Sequence, residues 1–288
     1  MTERRNLIKL IENSYSQFSK SQKIIADYIV NEYDKAAFMT AATLGQSTGV
    51  SESTVVRFAI RLGYEGYREF QRDLQELIKS KLTTIQRLHL AESDYANDED
   101  FIPKIIERDM DNIKRIIDDI NMDSFKRAID LVLEGKNIYI IGLRSSSFLA
   151  GYLAFYLNFL FDNIRVINSG PNDIFEQLLK VNSDDVIIVI TYPRYSRRIV
   201  DVLDYCKDKG TKIITITDSR LSPAAERAHV SLIAASDMIS FVDSLVAPMS
   251  LINAFIVALG IEKKENLNNY FEDLENIWQK FNIYDEIT

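Results

Sequence analysis

The sequence is poor in the residues that catalytic and metal sites usually need, with one cysteine, Cys206, and two histidines, His89 and His229. A lone cysteine cannot form an internal disulfide, which indicates a reducing compartment, and we expect a cytoplasmic protein. The Cys and His residues lack the spacing of metal ligands, and no Ser-His-Asp set can be assembled. We therefore predict neither a bound metal nor an organic cofactor.

Long hydrophobic runs are also missing. Two uncharged stretches, residues 148–161 and 246–261, fall short of the roughly 18–20 apolar residues that span a bilayer, and they contain polar residues such as Asn158 and Asn253. The first ten residues, MTERRNLIKL, lack the apolar core of a secretion signal. We expect no membrane association and predict that both stretches are helices, buried in the domain or at a subunit contact.

Charge is distributed unevenly along the chain, whose net charge is −8. Residues 1–88 hold 13 Lys and Arg against 10 Asp and Glu, a net of +3, whereas the remaining 200 residues hold 21 against 32, a net of −11. Phosphates repel an anionic body but not a mildly basic first third. If one part of the chain contacts nucleic acid, it is therefore the first part.

Periodicity divides the chain into four segments. Residues 1–80 show only helical spacing of apolar residues, and residues 81–104, which include the acidic stretch AESDYANDED, lack a clear pattern and are interpreted as a linker. Residues 105–265 mix helical segments with β-branched runs, and residues 266–288 contain a final amphipathic helix.

Five short apolar runs in the third segment predict strands: 137–142, 164–168, 185–191, 211–217 and 230–235. Strands that are apolar throughout and alternate with helices are typical of a parallel sheet covered on both faces. The predicted fold is thus an all-α N-terminal domain followed by an α/β, doubly wound, five-stranded parallel-sheet sandwich.

The segment 40–70, TAATLGQSTGVSESTVVRFAIRLGYEGYREF, has the spacing of a helix-turn-helix. Thr40 can cap a first helix, Gly49 can end it in a left-handed turn, and Val50 can fill the space between the helices. Ser51 can then cap the second helix, whose inner face would carry apolar residues at helical spacing. A small helical bundle with a glycine turn is the structural alternative.

The outer face of that second helix carries hydroxyl and guanidinium groups, which can reach base edges and phosphates in a DNA major groove. The following LGYEGYREF adds groups for backbone contact beside the groove. The predicted DNA-contacting residues are Ser51, Ser53, Thr54, Arg57, Arg61, Tyr67 and Arg68.

Two loops of the second domain are rich in hydroxyl groups. The first predicted strand runs into GLRSSS and a helix, and the third runs into TYPRYS and a helix. Amide groups at a helix N-terminus favour anions, and ligands of open parallel sheets bind at the carboxyl ends of strands. Serines that merely cap helices are the alternative. No G-x-G-x-x-G follows the first strand, which disfavours NAD. The predicted effector-binding residues are Arg144, Ser145, Ser146, Ser147, Thr191, Arg194 and Ser196.

VSESTVVRFAIRLGYEGYREF resembles the pattern VSxxTVxRFxxxLGxxGxxxF of the RpiR/MurR family of transcriptional regulators, and the resemblance extends over about residues 1–260. It implies a C-terminal sugar-isomerase (SIS) domain, in which Ser146 matches the serine of a GxGxS phosphate loop. It also implies that Thr191 and Ser196 match hydroxyl positions of a second loop, SxSGxT. Arg144 replaces a usual glycine, and the second loop carries Arg194.

Guanidinium groups prefer carboxylate or phosphate, so both arginines are candidates for binding a sugar phosphate or a sugar acid. For Arg144, pairing with an acidic residue across a subunit contact is an equal alternative. A ligand-modulated DNA-binding regulator that is not an enzyme is the favoured function. A phosphosugar isomerase with an accessory helical domain is the alternative. A palindromic operator would require a homodimer or a dimer of dimers.

Overall fold

The computed structural model describes residues 7–79, 83–95, 100–264 and 268–284. The chain divides into two compact units, Met1–Ala96 and Asn97–Thr288. No helix of the described ranges is both long and apolar enough to cross a membrane.

The first unit is built from helices in its described part, as the periodicity predicts. Their bounds are α1 Leu7–Ser14, α2 Lys20–Asn31, α3 Tyr33–Ala36, α4 Ala41–Thr48, α5 Glu52–Arg61, α6 Tyr67–Lys79 and α7 Thr84–Tyr95. Their common core includes three aromatic rings from different segments, with Phe18 against Phe58 and Phe58 against Phe70 at centroid distances of 5.1 and 5.9 Å. Burial of such large rings supplies much of the stabilisation available to a small helical unit.

The turn between α4 and α5 has the predicted form. The Thr43 amide donates to Thr40 Oγ1 over 3.1 Å, which caps α4, and Gly49 ends the helix in a left-handed conformation with a φ of 70°. Gly45 is also required, because a Cβ at that position would lie 2.8 Å from the Val50 carbonyl oxygen. Only a glycine on α4 therefore lets the two helices approach this closely.

Helix occupies part of the range 81–104 that the sequence predicts as a linker. Helix α7 fills Thr84–Tyr95, and the next helix begins at Phe101; residues 80–82 and 96–99 lie outside the described residues. The signal for α7 is a reciprocal cap in which the Gln86 amide donates to Thr83 Oγ1 and the Thr83 amide donates to Gln86 Oε1. Residues 91–95, the first half of the acidic stretch, belong to α7, although their spacing of apolar residues does not predict a helix.

The second unit alternates strands and helices. Its elements are α8 Phe101–Asp119, α9 Met122–Glu134, β1 Ile138–Gly142, α10 Ser146–Leu160, β2 Ile164–Ile167, α11 Ile174–Gln177, β3 Val186–Ile190, α12 Arg197–Asp208, β4 Lys212–Thr217, β5 Val230–Ile233, α13 Val246–Glu262 and α14 Asn268–Lys280. All five predicted strands and the final helix are confirmed. Between β4 and β5 the described chain forms only a 3-10 turn, Ala225–Arg227, where a helix was expected.

The five strands are parallel and lie in the order β2-β1-β3-β4-β5. Strands β1 and β3 are buried along their whole length, and alternate residues face two apolar layers. Ile138 and Ile140 pack on the side of α9, α10 and α13, whereas Tyr139 and Ile141 pack on the side of α11 and α12. This is the doubly wound sandwich that the apolar runs predict.

The order of the strands reverses at β1. The chain leaves β1 to form β2 on one side and returns to form β3 on the other, so the loops after β1 and β3 flank the crevice between them. Gly142 and Ile190 are directly paired across the two strands, so both loops start at the same level.

A buried carboxylate fixes this register at the opposite edge of the sheet. Asp185 is 1% exposed, and its Oδ1 accepts hydrogen bonds from the Asn137 amide and side chain over 3.2 and 2.7 Å. Its Oδ2 accepts from the Asn182 amide over 3.0 Å. The amino ends of β1 and β3 are thereby tied to one side chain.

Candidate DNA-contacting helix and anion pocket

Helix α5 has one buried and one open face. Val55, Phe58 and Ala59 are buried as predicted, together with Leu62 at the helix end. Ser53, Arg57 and Arg61 are exposed on the opposite side. The helix is therefore not enclosed by the first unit, and its outer face is free to meet a partner.

The hydroxyl groups at the start of α5 form a cluster. Ser51 occupies the N-cap position but makes no side-chain bond to a backbone amide, contrary to the predicted cap. Its Oγ instead lies 3.0 Å from Ser53 Oγ and 2.8 Å from Thr54 Oγ1. Arg57 folds back over this group, donating to the Ser53 carbonyl oxygen over 3.1 Å and to Ser53 Oγ over 3.2 Å. Four of the predicted contact residues are thus brought together.

The other predicted DNA-contacting residues have different surroundings. Arg61 is exposed, but its Nη2 donates to the Gln17 carbonyl oxygen over 2.8 Å, so one of its donors already holds the first unit together. Arg68 is exposed on α6, one helix further along the chain. Both remain candidates for phosphate contacts.

Tyr67, also among the predicted DNA-contacting residues, does not lie on the open surface of the first unit. Its side chain is buried, its hydroxyl donates to the Met39 carbonyl oxygen over 2.8 Å, and burial raises its pKa to about 12. The same carbonyl oxygen accepts from Gln71 Nε2 over 2.9 Å. The spacing of Tyr67, Phe70 and Leu74, all buried, is that of the inner face of a helix, and this was the available signal.

The loop after β1 turns sharply into α10. A Cβ at Gly142 would lie 2.3 Å from the Ser146 carbonyl oxygen, so only glycine fits at the end of this strand. Ser147 Oγ donates to the Arg144 carbonyl oxygen over 2.6 Å, which closes the turn. Of the three serines only Ser146 is buried, while Ser145 takes the N-cap position without a side-chain cap bond.

The N-terminus of α10 is suited to an anion. Its first turn contains no acidic residue, and no side chain in the described part of the chain caps it. The Ser147 and Phe148 amides donate to the Arg144 and Ser145 carbonyl oxygens, but no side chain of the described residues offsets the partial positive charge of this helix end, a condition that favours a phosphate or a carboxylate.

The loop after β3 is anchored to the neighbouring strand. The Thr191 amide donates to the Ile216 carbonyl oxygen over 3.1 Å, and the Tyr195 hydroxyl donates to Asp218 Oδ1 over 2.7 Å. Thr191 is buried, and Ser196 takes the N-cap position of α12 without a side-chain cap bond. Tyr192, which the sequence analysis did not single out, is buried beside Thr191.

Arg144 and Arg194 share an unusual backbone conformation. Their φ angles are 56° and 66°, in the left-handed region that most residues avoid. Both correspond to the glycine of their loop pattern, since glycine is the third position of GxGxS and the fourth of SxSGxT. The fold keeps the strained turn at both positions, and each turn carries an exposed guanidinium group where glycine has no side chain.

His229 lies away from these loops. His229 directly precedes β5, at the amino edge of the sheet, and its Nδ1 accepts from the Ile213 amide over 3.0 Å. Burial, followed by the charges of Lys212 and Lys207, lowers its pKa. His89 is exposed on α7 of the first unit. The His229 ring is therefore not placed to transfer a proton between the two loops.

The acidic residues after β2 have a structural role. Asp173 Oδ1 accepts from the Phe175 amide over 3.0 Å, and Glu176 Oε2 accepts from the Asp173 amide over 3.0 Å, which forms a capping box on α11. The Phe175 amide, and then Arg198, lower the pKa of Asp173. It is therefore an ionised cap.

Comparison with known families identifies both units. Residues 5–81 match the helix-turn-helix domain of the rpiR family, and residues 132–258 match the SIS domain. The HTH-type transcriptional regulator HexR of Escherichia coli is 25% identical over 281 residues, which cover 94% of each chain. An uncharacterised HTH-type transcriptional regulator of Clostridium perfringens is 25% identical over 228 residues, 78% of this chain and 80% of that protein.

Two solved structures share the fold. The sugar isomerase domain of an RpiR transcription factor from Sphaerobacter thermophilus superposes with a TM-score of 0.59 at 20% identity, covering 62% of this chain and 99% of that one. The Vibrio vulnificus NanR protein complexed with ManNAc-6P superposes with a TM-score of 0.57 at 18% identity, covering 96% and 99%.

Proposed function

The chain belongs to the rpiR family of helix-turn-helix proteins that carry a SIS domain, and on this premise we propose that it is a transcription regulator. In this proposal the first unit binds double-stranded operator DNA, and the second binds a small anionic metabolite. The metabolite changes operator affinity because it binds the DNA-bound and free arrangements with different affinity.

The observation that supports DNA binding most directly is the open face of α5. Ser53, Thr54 and Arg57 are grouped at the start of a helix whose other face is buried, in a unit of net positive charge. Short hydroxyl side chains let a helix approach base edges, and an arginine one turn later can reach a guanine or a phosphate.

This part of the proposal is tested by binding to DNA from upstream of the protein's own gene. Arg57→Ala should lower affinity for that DNA by about tenfold or more, since one good arginine contact contributes about 1–3 kcal/mol. Arg72→Ala, which removes an exposed arginine from α6, is the matched control and should change affinity little. Equal loss in both variants would argue for general charge attraction and against a role of α5 in sequence recognition.

The observation that supports metabolite binding is the pairing of the two loops at the reversal of strand order. Buried Ser146 and Thr191, the uncapped N-terminus of α10 and the guanidinium groups of Arg144 and Arg194 all belong to these loops. They suit a ligand that combines hydroxyl groups with phosphate or carboxylate, that is, a sugar phosphate or a sugar acid.

A thermal-shift screen of sugar phosphates and sugar acids on the full-length protein tests this site, because a bound ligand raises the melting temperature. Ser146→Ala should blunt the response and leave DNA binding intact. Arg194→Ala should lower the affinity for the anionic ligand, because it removes a guanidinium group from the site. Unchanged affinity of Arg194→Ala for every ligand would assign that side chain a different role. For Arg144, an ion pair across a subunit contact remains the alternative.

A dimer fits the outer faces of α10 and α13. Phe148, Phe155, Val257 and Ile261 are each more than half exposed on these two helices. Contiguous exposed apolar side chains mark interaction surfaces, and a palindromic operator needs two copies of the first unit. We assign the faces to a second copy of the chain, in a homodimer or a dimer of dimers. Phe155→Glu should lower the mass measured by light scattering to that of a monomer.

Binding without turnover completes the proposal. Sugar-phosphate isomerases require a general base, often with a histidine for ring opening, and His229 lies at the opposite edge of the sheet. Incubation of the protein with the ligand that it binds should leave that ligand unchanged. Conversion to an isomer, in the absence of specific DNA binding, would favour the alternative of an isomerase.

A further inference from the structure

The Tyr192 side chain is buried at the carboxyl end of β3, and its hydroxyl has no hydrogen-bond partner among the residues that the structure describes. A buried hydroxyl that loses its bonds to water without replacement costs free energy, and native proteins leave few such groups. A nearby tyrosine of the same loop shows the usual solution, since the Tyr195 hydroxyl donates to Asp218 Oδ1.

Tyr192 lies close to the beginning of both crevice loops in the fold. Its ring belongs to the apolar layer on the α10 side of the sheet, the layer that also contains Leu149 and Ala150 near the beginning of that helix. Ser146 starts the same helix. Tyr192 itself follows Thr191 in the loop after β3, so it belongs to one crevice loop and shares an apolar layer with the helix that follows the other.

The protonation state of the phenol is set by its surroundings. Burial, and then the charge of Asp218 beyond the end of β4, raise the pKa of Tyr192 well above its usual value. The hydroxyl is therefore neutral at physiological pH and can both donate and accept a hydrogen bond.

We infer that the Tyr192 hydroxyl is a specificity-determining group that hydrogen-bonds an oxygen atom of the metabolite bound between the two loops. This inference rests on the proposed effector site and adds a contact to it. Guanidinium groups and a helix N-terminus select for negative charge alone. A buried hydroxyl also rejects anions that lack a matching oxygen, because the hydroxyl then stays unpaired.

Tyr192→Phe tests the inference, since it removes the hydroxyl and keeps the ring. Without ligand the variant should melt higher than the wild type, by roughly 2–4 °C, because an unpaired buried group has been removed. Its affinity for the metabolite should fall by about tenfold. The probes are N-acetylmannosamine 6-phosphate, glucose 6-phosphate and 6-phosphogluconate, titrated calorimetrically into the full-length protein.

Tyr195→Phe is the matched control in the same loop. Its hydroxyl has a partner at 2.7 Å, so this variant should melt lower than the wild type without ligand. The opposite signs of the two shifts separate an unpaired hydroxyl from a general effect of removing a phenol oxygen.

Either of two results would overturn this inference and leave the proposed effector site standing. One is a Tyr192→Phe variant that melts at or below the wild-type temperature, because the hydroxyl would then have a partner in the free protein. The other is equal affinity of the wild type and of Tyr192→Phe for a probe that binds the wild type. If no probe binds the wild type, the proposed effector class and this inference fail together.

Discussion

Gly142→Ala is the sharpest test of the pocket's geometry, because the methyl group that it adds has no room between β1 and α10. The added Cβ would lie 2.3 Å from the Ser146 carbonyl oxygen and 2.7 Å from its carbonyl carbon. Both atoms are backbone, so no side chain can rotate away. The start of α10 would have to move by about 1 Å to restore normal contact.

The cost follows from that displacement. Overpacking in a rigid region typically costs about 1–3 kcal/mol, and a clash with backbone belongs in the upper part of that range. A cost of about 2–3 kcal/mol corresponds to a fall in melting temperature of roughly 4–12 °C for a unit of this size. Since Ser146 moves with the helix, the melting-temperature increase on adding a metabolite should be lost as well.

Gly151→Ala is the control, because it adds the same methyl group to the same helix at a position where no atom beyond its chain neighbours and the backbone of its own helix turn lies within 4 Å. Since Gly151 lies between Phe148 and Phe155 on the face assigned to a second copy, the variant is used only if its mass by light scattering equals that of the wild type. It should be neutral or stabilise by up to about 1 kcal/mol, as alanine favours helix over glycine. Thermal unfolding with and without ligand measures both variants. If Gly142→Ala melted within one degree of the wild type and still responded to ligand, the close contact between β1 and α10 would not determine the pocket.

Three further outcomes are expected. Tyr67→Phe removes the bond to the Met39 carbonyl oxygen and should lower the free energy of unfolding by about 1 kcal/mol, with operator affinity unchanged in a DNA-binding assay. Arg144→Gly should be more stable than Arg144→Ala by about 1 kcal/mol in urea unfolding, because the φ of 56° favours glycine; equal stabilities would contradict the strain. Burial raises the pKa of the Cys206 thiol to about 12, so the native protein should not react with a disulfide reagent at pH 8, whereas the unfolded chain should react with one equivalent.

The elements that the sequence predicts well are those in which one residue type repeats along a whole segment. The strands β1 and β3 are buried on both faces, so every position is apolar and no alternation obscures the signal. The turn at Gly49 was equally clear, because a left-handed residue between a capped helix and a serine has few other interpretations.

Contacts between distant segments account for what the sequence could not predict. Tyr67 and Arg61 have the residue types of DNA contacts, but their partners Met39 and Gln17 lie 28 and 44 residues away in the chain. The unpaired hydroxyl of Tyr192 is likewise a property of tertiary packing. The residue type shows which hydrogen bonds a side chain can make. Tertiary packing decides which partner it bonds.

Asp185 holds β1 and β3 together at the edge of the sheet remote from the candidate pocket. Because this clamp sets the alignment of the strands, the residues of the two crevice loops do not have to do so. Substitutions there can alter which metabolite is bound while the strand ends stay in place. A protein built in this way can acquire a new signal molecule through a few loop changes, with little risk to its folding.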